Sequence, residues 1–174
     1  LWALGWPESQ ERPRHARNAE FNRALGVECT HCHVEGQWRD EAKPQFAIAR
    51  NMAAMVAVVN DQLAGEGFVT CETCHGGQVR PSRMPGAVFR ERLAQWPAEL
   101  AAEPEGRRIT MTAYAVALGV ECSHCHSKDW KARNKNASLM VDMMTPLFDE
   151  FPKYMPPGAV TQCWMCHKGA TLPQ

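Results

Sequence analysis

The sequence contains no run of 18 apolar residues, so it offers no candidate membrane-spanning helix. Net charge is also missing: 19 Lys and Arg offset 19 Asp and Glu, and nothing draws the chain toward nucleic acid. Aromatic residues are scarce, 8% against an apolar fraction of 45%, so aromatic side chains cannot supply much of a core. No stretch alternates apolar and polar residues as a half-buried strand would. Leu1-Trp2-Ala3-Leu4-Gly5-Trp6 is too short for an export signal, and the chain reads as a mature form whose signal has been removed. These absences leave a mainly α protein with long loops and little or no β. Its 174 residues suffice for one domain or two small ones.

Cysteine, by contrast, is plentiful and ordered. All eight cysteines fall in four Cys-x-x-Cys-His runs: Cys29-Cys32-His33, Cys71-Cys74-His75, Cys122-Cys125-His126 and Cys163-Cys166-His167. Two of these runs sit in a repeated decapeptide, ALGVECTHCH at 24–33 and ALGVECSHCH at 117–126. This spacing is the attachment signature of haem c. Two thiols on one helical turn can each form a thioether to a haem vinyl group, and the His that follows can coordinate the iron. A zinc ribbon, a thioredoxin-like motif or a set of disulfides would use Cys-x-x-Cys, but none requires His directly after the second Cys. The reading is therefore four covalently bound haem c groups, with iron on His33, His75, His126 and His167.

Four macrocycles within a radius of gyration of roughly 16 Å are close neighbours, and an electron relay follows from the crowding. Porphyrin then replaces much of the aromatic core, and nine Met suit packing on flat polarisable surfaces. The haem-free polypeptide is expected to fold poorly. Haem propionates would add negative charge, for which Arg is the better-shaped partner.

The spacings indicate a tandem duplication. Cys29 to Cys71 is 42 residues and Cys122 to Cys163 is 41; Cys29 to Cys122 is 93 and Cys71 to Cys163 is 92. The expected organisation is dihaem module 1, with an N-terminal arm carrying Trp2 and Trp6, over 1–86, and dihaem module 2 over 87–174. Helices are predicted over Arg14–Leu25, Pro44–Leu63, Arg107–Leu118 and Ala137–Phe151, one before each motif. Pro fits the first turn of the second helix and Gly26 the stop of the first. Pro146 should bend or interrupt the last. Gly76–Arg92, with its Gly and Pro, reads as a linker.

Each iron also needs a sixth ligand or an open site. Only His15, His31 and His124 lie outside the proximal positions, too few for four bis-His irons. Met111, eleven residues before Cys122, is the candidate for the third iron. Met52 and Met55 precede the second motif, and Met140 and Met143 the fourth. Either member of each pair could ligate while the other packs; Met52 and Met140 are chosen. The position matching Met111 before the first motif is Asn18, no useful ligand, so His15, one turn earlier on the same face, takes that role. His15 could equally be a surface residue or serve a haem in another molecule. His31 and His124, held beside their own haems, read as packing or hydrogen-bonding residues.

The chain resembles the tetrahaem cytochrome c subunit of photosynthetic reaction centres. The shared residues are LGVEC-x-HCH, Ala49-Arg50-Asn51-Met52-Ala53-Ala54-Met55 and Val69-Thr70-Cys71-Glu72-Thr73-Cys74-His75-Gly76-Gly77. The resemblance implies two dihaem repeats, haems in a curved row and electron transfer. It also implies three Met ligands from preceding helices, which points to Met52 and Met111, and one His between the second Met helix and the second motif. That His is absent here, which moves the fourth ligand to Met140. Haem attachment of this kind implies a periplasmic or extracellular location.

The leading function is carriage of single electrons between redox-partner proteins, with no catalytic residues. Arg80, Arg83, Arg90 and Arg92, or Lys128, Lys131, Arg133 and Lys135, could dock an acidic partner or neutralise propionates. An alternative is a subunit of an extracellular haem filament, with His15 ligating a neighbour's haem through self-association. A small-molecule reductase with an open first haem ranks below both, because no acid–base cluster surrounds that site.

Overall fold

The computed structural model describes residues 14–63, 69–127, 130–156 and 162–171, with the backbone alone given for 14–17, 136, 138–141 and 143. The N-terminal arm with Trp2 and Trp6 lies outside the described residues, as do the side chains of His15, Met140 and Met143.

Seven α-helices are described: α1 Arg14–Leu25, α2 Pro44–Leu63, α3 Cys71–His75, α4 Gly86–Ala94, α5 Glu105–Leu118, α6 Lys135–Glu150 and α7 Trp164–His167. Tight 3-10 turns cover Cys29–His31, Ala98–Leu100, Cys122–His124 and Phe151–Lys153. Among the described residues there is no strand, only isolated bridges at Val34–Gln37 and His126–Arg133. The mainly helical expectation holds, and the four predicted helices precede their motifs.

Two expectations need correction. The segment 76–92 is not all linker: Gly86–Ala94 is helical, starting directly after Pro85 and packing on α5. Of the bend or interruption expected at Pro146, the interruption does not occur: α6 continues to Glu150. Proline there forfeits one backbone hydrogen bond, but packing of the next turn offsets the loss. Leu147 is 1% exposed and Phe151 is buried, both against Met55 of α2.

The chain divides into two compact units, one of Leu1–Pro81 with Asp142–Thr161 and one of Ser82–Val141 with Gln162–Gln174. Helix α6 leaves the second unit and enters the first between Val141 and Asp142. In the first unit, Met55, Leu147 and Phe151 form the hydrophobic cluster, with Met52, Val58, Val59, Met144 and Phe148 partly buried around it. Met52, Met55, Val58 and Val59 of α2 thus share one apolar cluster with residues of α6. Beyond this cluster the polypeptide core is thin. The other buried apolar residues described are Ala24, Val69, Val116, Ala117 and Ala137, all small.

Each unit also contains one very close backbone approach. In the first, Gly26 ends α1 with φ +64° and lies against the Gly77 carbonyl, while the Gly77 N–H donates to the Ala24 carbonyl at 2.9 Å. In the second, Gly119 ends α5 with φ +64° against the Gly169 carbonyl, while the Gly169 N–H donates to the Ala117 carbonyl at 2.8 Å. A Cβ at Gly26 or Gly119 would fall inside a carbonyl group that belongs to rigid backbone. Glycine is required twice over, for the left-handed backbone and for the contact. Ala24 and Ala117, at 2% and 0% exposure, leave no room for a larger residue at the same contacts.

Gly26→Ala should cost at least about 2 kcal/mol in denaturant unfolding of the purified protein, from overpacking added to backbone strain. Gly36→Ala is the control. Gly36 also has positive φ, at +75°, but nothing lies within 4 Å of the added carbon. Its cost should stay near about 1 kcal/mol, the strain alone. Equal costs for the two substitutions would mean that the Gly77 contact does not constrain α1.

The second unit is further tied by Arg92 of α4. Its guanidinium donates to both carboxylate oxygens of Glu121, at 2.9 and 2.6 Å, and to the Val120 carbonyl at 3.2 Å. Arg92, one of the candidate docking or propionate-pairing residues, is thereby engaged by Glu121. The hydrogen bonds from Arg92 hold the Glu121 carboxyl below its ordinary value, so the pair stabilises near neutrality and fades as acid protonates Glu121. Glu121→Gln should lower Tm at pH 7, with the difference from the parent closing below about pH 4. A difference that persists unchanged in acid would assign the loss to something other than the ion pair.

Candidate haem sites

The four Cys-x-x-Cys-His runs adopt two local forms. The first and third begin in 3-10 turns after extended residues Glu28 and Glu121. In both, the His N–H donates to the first Cys carbonyl at 3.0 Å, for His33 to Cys29 and for His126 to Cys122. The second and fourth are short α-turns ending in a left-handed residue, Gly76 at φ 54° and Lys168 at φ 49°. Either turn carries two thiols and the following imidazole within one revolution, as the attachment chemistry needs.

Polar side chains fix these turns from outside. Thr70 caps the second motif: its hydroxyl accepts from the Thr73 N–H at 3.4 Å, and Thr73 Oγ1 accepts from the Thr70 N–H at 3.0 Å. One residue earlier, the Asn60 amide of α2 grips Val69 on both sides. Asn60 Nδ2 donates to the Val69 carbonyl at 2.9 Å, and the Val69 N–H donates to Asn60 Oδ1 at 2.8 Å. For the third motif, Asn134 Nδ2 donates to the His124 carbonyl at 2.6 Å while Asn134 Oδ1 accepts from the Ala137 N–H at 3.2 Å. One side chain thus caps α6 and holds the motif before it. Lys43, just before α2, plays the corresponding part by donating to the Thr30 carbonyl. Asn22 Nδ2 of α1 lies 3.1 Å from Cys29 Sγ.

No disulfide joins the eight cysteines, seven of them half-buried and Cys29 exposed. Burial pushes the thiols of Cys32, Cys125 and Cys163 above their ordinary value, and Cys71 up to about 11. Reactive redox cysteines and zinc thiolates need the opposite shift. Among the described residues no three His, Cys, Asp or Glu side chains converge as a metal cage.

Around the third motif the polypeptide leaves a cavity of ≈ 360 Å³ lined by Met111, Thr112, Cys122 and Trp130 among others. Met111 and the first attachment cysteine thus face one space. The Thr112 hydroxyl, on a residue 2% exposed, has no hydrogen-bond partner there. Enclosed polar atoms without partners also occur at Trp164 Nε1, Arg108 Nε, His33 Nδ1 and His126 Nδ1. A thin apolar core, a cavity beside a thiol and a thioether sulfur, and unpartnered polar atoms fit residues that enclose a polar-edged macrocycle.

The other candidate ligands lie in varied surroundings. Met52 is half-buried in the cluster with Met55, which is deeper at 8% exposure. Met144, 92 residues after Met52, belongs to the same cluster. His31 is half-buried and His124 exposed, each within its 3-10 turn. His15 lies on the α1 backbone and Met140 on the α6 backbone, their side chains outside the described residues.

The proximal rings differ as well. His75 Nδ1 lies 2.9 Å from the Gln78 carbonyl and His167 Nδ1 3.0 Å from the Ala170 carbonyl. Burial pushes the His167 imidazole below its ordinary value, which favours the neutral ring that can bind a metal. His33 instead sits edge-on to Phe46, with ring centres 5.2 Å apart, and near Trp38 at 6.4 Å. His126 lies 6.1 Å from Trp130. Sequence reading did not find Asn60, Asn134 or the Arg92–Glu121 pair, because nothing in their spacing marks them. The two carbonyl acceptors were detectable, since Gly76-Gly77 and Lys168-Gly169 follow only the second and fourth motifs.

Comparison with known proteins joins these observations. A family model described as photosynthetic reaction centre cytochrome C subunit matches residues 24–92, which include the first two motifs and Met52. The photosynthetic reaction center cytochrome c subunit of Rubrivivax gelatinosus is 23% identical over an alignment of 238 residues, covering 91% of this chain. The chain spans 64% of the length of that relative. On the motifs and both matches together, the chain is similar to the photosynthetic reaction centre cytochrome c subunit family.

Proposed function

We propose that the protein is a tetrahaem cytochrome c that carries single electrons between redox-partner proteins in the periplasm or outside the cell. The observation that carries this reading is the use of every cysteine in a Cys-x-x-Cys-His turn, with a cavity beside the third that Met111 also lines. Similarity to a cytochrome c subunit supports haem binding, and carriage between partners extends that to this shorter chain. Among the described residues no helix is long and apolar enough to cross a membrane.

In this reading Cys29, Cys32, Cys71, Cys74, Cys122, Cys125, Cys163 and Cys166 hold the haems, and His33, His75, His126 and His167 orient the irons. Haem iron, when bound, supplies reversible one-electron exchange. The protein's residues set its potential through ligand type, burial and hydrogen bonding. Met111, Met52 and Met140 serve as sixth ligands and raise potential, and His15 serves the first iron. The modules are 1–86 and 87–174, repeated in sequence and each holding a haem pair. Partner docking uses the exposed Arg80, Arg83 and Arg90, with Arg92 committed to Glu121.

The test is a pyridine haemochrome assay with intact mass on protein made in a haem-attaching host. Four covalent haems per chain are expected, and one fewer on replacing both cysteines of any motif by Ala. No covalent haem would end the proposal. Near-infrared magnetic circular dichroism should then show three Met/His irons and one bis-His iron. Met111→Ala should remove one methionine-to-iron band and leave the other two. Three bands surviving in that variant would move the third iron's ligand elsewhere.

A further inference from the structure

We propose that the four haems fall into two classes, set by whether the proximal histidine has a backbone carbonyl on its Nδ1. The inference rests on the haem reading above and adds the order in which the protein biases the irons.

In the second and fourth motifs the acceptor is built into the turn. Two successive left-handed residues follow the histidine: Gly76 and Gly77 at φ 54° and 79°, Lys168 and Gly169 at φ 49° and 90°. The chain reverses so tightly that the Gln78 N–H returns to the His75 carbonyl at 3.1 Å, and the Ala170 N–H to the His167 carbonyl at 2.9 Å. The next carbonyl then lies 2.9 Å from His75 Nδ1 and 3.0 Å from His167 Nδ1. A carbonyl can only accept, so Nδ1 carries the proton and Nε2 keeps its lone pair for iron.

Among the described residues the first motif lacks this reversal, and the third, whose Lys128 lies outside them, has no glycine directly after its histidine. Val34-Glu35 and Ser127-Lys128 follow their histidines, where no glycine offers a left-handed path. Val34 instead opens a turn closed by the Gln37 N–H at 3.0 Å. His33 Nδ1 and His126 Nδ1 are enclosed with no hydrogen-bond partner, beside Phe46 and Trp130.

A ligating imidazole that donates through its second nitrogen becomes a stronger base. It stabilises ferric iron over ferrous, and the potential falls. An apolar wall without an acceptor does the reverse, because it leaves the extra ferric charge poorly solvated. His75 and His167 therefore pull their haems below the potentials that their sixth ligands alone would give. His33 and His126 hold theirs above. Gln78 and Ala170 act through the histidine, as positioning residues whose carbonyls, not side chains, matter.

The test uses the four-haem holoprotein. In the ferrous, diamagnetic state, through-hydrogen-bond NMR couplings are expected from His75 Nδ1 to the Gln78 carbonyl carbon and from His167 Nδ1 to that of Ala170, and none from His33 or His126. In spectroelectrochemical titrations assigned haem by haem, Gly77→Val and Gly169→Val should each raise the midpoint of one haem, the second and the fourth respectively. β-Branched residues avoid positive φ, so each substitution should open its turn. The loss of one such bond should change the ferric-to-ferrous ratio at fixed potential about tenfold, near 59 mV for a one-electron couple. The NMR arm needs no variant and stands even if a valine protein fails to fold. Couplings missing at His75 and His167, or present at His33 and His126, would overturn the classes. So would a folded, haem-replete Gly77→Val protein with unchanged potentials. A chain without covalent haem, by the haemochrome count, would overturn the underlying reading and this one together.

Discussion

Both compact units depend on a helix end lying in van der Waals contact with the backbone just past a histidine. In one, α1 ends at Gly26 against Gly77; in the other, α5 ends at Gly119 against Gly169. The contact is between main chains, so side-chain repacking cannot relieve a misfit. The hydrogen bonds from Gly77 to Ala24 and from Gly169 to Ala117 then set the angle at which each helix meets its motif. The same glycines that permit the contact also permit the left-handed turn that returns a carbonyl to the proximal ring. Docking of the helix and the environment of the histidine are two results of one local geometry.

This joint requirement explains why the chain can manage with so little apolar core. Around the glycine contacts the buried residues are alanine and valine, and one cluster of larger side chains, at Met55, Leu147 and Phe151, serves the first unit. Short polar clamps supply precision instead. Asn60 on Val69, Asn134 on His124 and Arg92 on Glu121 each fix the backbone at or beside a cysteine motif.

Much of this was legible in the sequence where the controlling physics is local. Cys-x-x-Cys-His must be contiguous for its chemistry, and Gly26 and Pro44 mark helix boundaries through their own backbone limits. The misreadings at 86–94 and Pro146 arose where tertiary packing overrode local preference. A glycine- and proline-rich stretch became helical once α4 could lie on α5, and Leu147 and Phe151 carried α6 past its proline. Sixth ligands are harder for the same reason. A methionine stripe at helical spacing looks alike whether it faces a porphyrin or another helix, and both Met52 and Met55 belong to one hydrophobic cluster.

The pairing of Met55 with Leu147 has a consequence for how the molecule is made. The partners are 92 residues apart, and all of the first three haem motifs, as well as α4 and α5, are synthesised between or before them. A chain that emerges N-terminus first cannot close the first unit's core until α6 has followed. Closing so long a loop is slow relative to local helix formation. The delay keeps the early cysteines reachable while the later ones are still arriving. Closure of the first unit thus waits on α6, a helix that follows the first three motifs in the chain.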